Sequence, residues 1–148
     1  MSPETLNTRF RYFLFFLAGA IFVGTVVELL FSNHMETAVQ YIPFFLCAIG
    51  FVTLIVAVAR PQRSTLLALR AVMVVVIGGS LFGIFEHIES NIEFALEIRP
   101  NAVLGDVFWQ ALGGANPLLA PGILALGGLI ALAATYYHPK LSDPITEA

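Results

Sequence analysis

With 148 residues, 58% of them hydrophobic and only 11% charged, this chain lacks the polar surface that a water-soluble domain of its size needs to cover itself. A net charge of −3, with no basic run and no glycine-rich phosphate loop, excludes nucleic acid and nucleotides as partners, and a single cysteine excludes a disulfide framework. The composition fits a bilayer, where runs of about 20 apolar residues cross a hydrocarbon core of about 30 Å.

Residues 1–8 form a polar leader, and Arg9, Phe10, Arg11 and Tyr12 mix charge with aromatic rings, as at a headgroup layer. The first apolar run covers about 12–31. Glu4 in the leader, the length of the run and the lack of a small-x-small site after it predict an uncleaved span rather than a secretory signal. The second run, about 42–59, holds Pro43, Gly50 and the lone Cys47, a packing residue, and Pro61 closes it. The third run, about 66–86, passes into Glu86-His87-Ile88-Glu89-Ser90-Asn91. Beyond it, Ile92, Ala95 and Leu96 lie opposite Glu89, Glu93 and Glu97, a spacing that predicts a helix continuing to Arg99-Pro100. Val103–Leu112, with Asp106 and Trp109, is short and amphipathic and predicts a helix lying along the interface. Gly113, Gly114 and Asn116-Pro117 turn the chain back. The fourth run, about 118–137, ends on Tyr136, Tyr137, His138 and Pro139, and a polar, loose tail follows from Leu141.

The chain repeats itself. Glu28-Leu29-Leu30-Phe31-Ser32-Asn33 and Glu86-His87-Ile88-Glu89-Ser90-Asn91 share Glu-x-x-x-Ser-Asn, and Pro43, Gly50 and Pro61 recur at the same spacings as Pro121, Gly128 and Pro139. The expected fold is therefore all-α: one transmembrane domain over 1–148, an integral four-helix bundle of two repeated hairpins, about 12–61 and 66–139, with a short interfacial helix between spans three and four. Arg9, Arg11, Arg60, Arg63, Arg70 and Lys140 gather at one end, against Glu36, Glu89, Glu93, Glu97 and Asp106 at the other. By the positive-inside rule both termini are expected in the cytoplasm, with a bacterial inner membrane as host.

In a parallel duplication Glu28 and Glu86 lie at one depth, about 25 Å from the arginine end at 1.5 Å per residue, where acids are costly. With Ser32 and Ser90 one turn further out, and Asn33 and Asn91 next to them in sequence, they are the candidate site for a proton or a cation. His87, Glu86, His34 and Glu93 form a second set that can hold Zn²⁺, Mn²⁺ or iron through mixed imidazole and carboxylate ligands, although no His-x-x-x-His or Glu-x-x-His pattern supports it. No nucleophile sits beside a base in a recognisable elbow, so the reading leans away from an enzyme and requires no cofactor, a divalent metal being the one candidate. Two functions are expected. The first is a non-enzymatic membrane protein, an accessory subunit or a cation- or partner-binding protein with an acidic outer face. The alternative is a proton-coupled carrier of a small molecule or ion acting as a homodimer. Its partners are lipid and either another protein or a second copy.

Overall fold

The computed structural model describes residues 2–141, so the predicted loose tail beyond Leu141 lies outside the described residues. Five α-helices and one 3₁₀ turn make up the described chain, with no strand among them: α1 (Pro3–Phe31), the turn Val39–Tyr41, α2 (Ile42–Ala59), α3 (Arg63–Ile98), α4 (Leu104–Ala111) and α5 (Leu119–Ala134). Three of these are long and apolar enough to cross a membrane, namely α1, α2 with its preceding turn, and α3. The fourth predicted span is shorter than expected. At 16 residues α5 is about 24 Å long. Thr135 caps it and Tyr137 takes a left-handed backbone, φ 47°, so residues 135–137 turn away instead of extending the helix.

Local chemistry sets the boundaries. The polar leader is helical from Pro3, because Ser2 caps Thr5 N–H at 3.3 Å, proline occupies the first turn and Glu4 meets the positive end of the helix dipole. Arg60 and Arg99 both precede a proline, and both leave helical geometry, ending α2 and α3. The first Ser-Asn stops α1: Asn33 adopts φ 50°, Asn33 N–H bonds Leu30 C=O at 3.3 Å and His34 N–H bonds Leu29 C=O at 3.0 Å, which is a Schellman cap. In the second copy α3 runs straight through Ser90 and Asn91, since Glu93, Ala95, Leu96 and Glu97 are good helix formers.

Around the bundle the order is α1, α2, α3, α5, with α1 and α3 on one diagonal and α2 and α5 on the other; α4 packs on α3 alone. Phe15, Phe22, Leu46, Leu54, Leu66, Leu69, Met73, Val76 and Leu124 fill the centre. Residues 11, 15, 18 and 22 of α1 are buried, and so are residues 69, 73, 76 and 80 of α3, at the spacing that separates Glu28 from Glu86. Without a hydrophobic drive in lipid, close backbone approach must supply the association. Gly79, Gly127 and Gly128 provide it: a methyl group there would lie 2.5 Å from Leu46, 2.8 Å from Ile21 and 2.9 Å from Ile77. These small-residue faces thus close within the chain, whereas Gly24, Gly78 and Gly122 face open space.

Candidate functional site

The acidic end is built from the end of α1, the loop after it, the upper part of α3, and the α4–α5 connection. At 36 residues α3 is about 54 Å long, more than a hydrocarbon core of about 30 Å can take up. Val107 and Ala111 of α4 are buried against α3, while Asp106, Phe108 and Trp109 remain exposed.

Glu28 and Glu86 occupy the diagonal helices α1 and α3, whose backbones do not meet. Glu28 is exposed and Glu86 half-buried. Neither carboxylate has a hydrogen bond or ion pair among the described residues. Glu28 lies near the exposed Val27, Leu30 and Phe31, the last 86% exposed, with the exposed Ser32 one turn above it. The structure therefore does not bring the two acids together as a bonded pair within one chain.

The matched Ser-Asn pairs do different work. Ser32 Oγ donates to the Leu29 carbonyl and Asn33 ends its helix. Asn91, 3% exposed, is instead a bolt: its Nδ2 donates to the carbonyls of Ala111 and Asn116, both at 2.9 Å, and its Oδ1 accepts Asn116 N–H at 2.9 Å. Asn116 Nδ2 donates to Ser90 Oγ at 3.0 Å. Gly114 is required beside this bolt, because a Cβ there would lie 2.4 Å from Asn91 Cγ. Asn116 and Gly114 were legible only as turn residues. Their role depends on the residues between α3 and α5 folding back onto α3, which no local pattern encodes.

His34 and His87 come together, with ring centroids 6.2 Å apart and planes tilted by 57°. His87 Nδ1 is 2.8 Å from the Pro117 carbonyl, so the proton resides on Nδ1 and Nε2 keeps its lone pair in the neutral ring. Burial, and then the neighbouring His87, hold the His34 pKa below the ordinary histidine value of 6.5. Among the described residues no group of three or more His, Cys, Asp or Glu converges as a metal would need, so Glu86 and Glu93 do not complete a site around the two imidazoles.

At the opposite end two arginines grip the end of α5. Arg11, 9% exposed, donates from Nε to the Ala134 carbonyl at 3.0 Å and from Nη2 to the Tyr137 carbonyl at 3.4 Å. Arg70 donates from Nε to Thr135 Oγ1 at 2.8 Å and from Nη2 to Thr135 C=O at 2.9 Å. Two cations thus meet the negative end of one helix dipole and satisfy carbonyls that no helical N–H can reach. The sequence marks these arginines only as boundary residues. Comparison of the chain with family models, with curated proteins and with solved structures finds no match, so geometry alone carries the functional reading.

Proposed function

We propose that this is a small, non-enzymatic integral membrane subunit whose α1 surface around Glu28 contacts another chain near the outer boundary. α5 serves as a fourth span with help from its flanking turns, and two duplicated hairpins with both termini cytoplasmic form the bundle in a bacterial inner membrane. The shared register of buried positions on α1 and α3 supports the duplication. The gathering of arginines at one end supports the orientation.

The observation that carries this reading is Glu28 itself. It is an acid without a partner among the described residues, on a stretch of α1 that also exposes Val23, Val27, Leu30 and Phe31, with the exposed Ser32 one turn above it. Lipid penalises such a group, and a donor from a neighbouring helix relieves it. The exposed Glu36, Glu89, Glu93 and Glu97 add an acidic rim that favours a cationic partner surface.

The test is native mass spectrometry and sedimentation of protein extracted in mild detergent. A species larger than the 16.1 kDa monomer is expected, and Glu28→Gln or Glu28→Leu should weaken it about 3- to 30-fold, the worth of one interhelical hydrogen bond in lipid. A homogeneous monomer at all concentrations overturns the proposal. The half-buried Glu86, at the end of the bundle where His34 and His87 meet, favours proton-coupled transport as the second reading. That reading requires Glu86→Gln to abolish flux driven by a pH gradient in vesicles without altering the oligomer.

A further inference from the structure

The basic end carries a cleft that the acidic-face reading does not use. It has a volume of about 210 Å³ and opens between the lower turns of α1, the end of α2 and the segment after α5. Phe15, Ala57, Val58 and Pro61 make its apolar wall, and Arg11, Tyr12 and Lys140 its polar rim. The left-handed Tyr137 folds residues 138–141 back under the bundle, where Leu141 packs against the core and Lys140 reaches the rim.

We propose that this cleft binds the phosphodiester headgroup of an anionic phospholipid, with an acyl chain along the apolar wall. Charge supports that occupant. Arg11 has five N–H donors, of which two are engaged with carbonyls of the α5 end, and no described carboxylate pairs with it. Arg70 stands behind it on the same helix end, and Lys140 adds a third cation. His138, which also lines the cleft, reports the resulting field: burial first, then Arg11, Lys140 and Arg70, press its pKa below the ordinary value of 6.5. Position supports it as well. Tyr12, Tyr136 and Tyr137, each more than half exposed, mark the headgroup level, and basic pockets between spans at that level favour anionic headgroups. A free phosphate would leave the apolar wall unused.

The site stands independently of the Glu28 contact, requiring only that this end lie at a membrane surface. The full chain is reconstituted into nanodiscs of phosphatidylcholine with and without phosphatidylglycerol, released, and the retained lipid read by native mass spectrometry. Retention of phosphatidylglycerol over phosphatidylcholine is expected, with an upward shift of the His138 titration followed by NMR. Lys140→Glu and Thr8→Glu, both exposed and on the cleft lining, should each cut the preference at least about fivefold. Arg9→Gln, which changes charge at the same end but off the cleft, should leave it intact. If Lys140→Glu fails to fold, Lys140→Gln carries the same expectation of about a fivefold loss for one cation. Equal retention of both lipids, equal loss in Arg9→Gln and the Lys140 variant, or displacement by inorganic phosphate would each overturn the proposal.

Discussion

At the scale of single residues, Asn91 and His34 carry the most specific expectations. Asn91→Ala removes three hydrogen bonds to the α4–α5 connection and strands their partners, at a cost of about 2–4 kcal/mol. Thermal unfolding in detergent should register that loss, and amide exchange at residues 111–116 should accelerate before the rest of the bundle. Asn91→Asp keeps the acceptor but loses both donated bonds, so it should not rescue. His34 behaves as a base held neutral in the fold. Because its folded pKa is lower than its unfolded one, the unfolded state binds the extra proton first, and the stability it contributes is present above about 6.5 and lost as pH falls through the lowered value. Amide protection of the loop after α1 should therefore drop in mild acid, and His34→Gln should flatten that dependence. In the sequence both residues looked like ligands. Only the fold shows that one is structural and that the other pairs with an imidazole, because each partner comes from a distant stretch of chain.

At the scale of elements, the apolar runs located α1, α2 and α3 well, since length and hydropathy suffice for them, and Arg-Pro at 60–61 and 99–100 marked two helix ends. The end of α5 was not legible in that way. Its apolar run reaches Tyr137, but Arg11 and Arg70 draw the last carbonyls aside and the helix closes at Ala134. Arg70→Lys should thus behave as a loss, because an ammonium cannot hold the Thr135 hydroxyl and carbonyl in one fork; exchange at residues 134–138 is the readout. The glycines separate by partner. Gly128→Ala pushes α5 off Ile77 and the Met73 carbonyl and should destabilise the bundle by about 1–3 kcal/mol in a detergent unfolding titration. Gly78→Ala meets nothing and should be neutral, or stabilising by up to about 1 kcal/mol.

At the scale of the whole molecule, the two ends differ in charge and the arrangement can be tested for sidedness. The one natural thiol, Cys47, is 1% exposed, so a thiol introduced elsewhere reports without background. Ser64→Cys should react with an impermeant maleimide only from the cytoplasmic side and Thr37→Cys only from the opposite side; the reverse pattern would invert the proposed orientation. The shared Glu-x-x-x-Ser-Asn pattern was legible in the letters, but what each copy of it does was not, because Ser32-Asn33 and Ser90-Asn91 meet different neighbours. One further property follows from α3 alone. Arg70 near its lower end fastens the close of α5, and His87, Ser90 and Asn91 near its upper end fasten the start, through Thr135, Pro117 and Asn116. α3 thus works as a gauge bar on which α5 is clamped at both tips. One extra residue between the clamps would rotate the upper set by about 100° and lift it about 1.5 Å, so the two helices cannot change length separately.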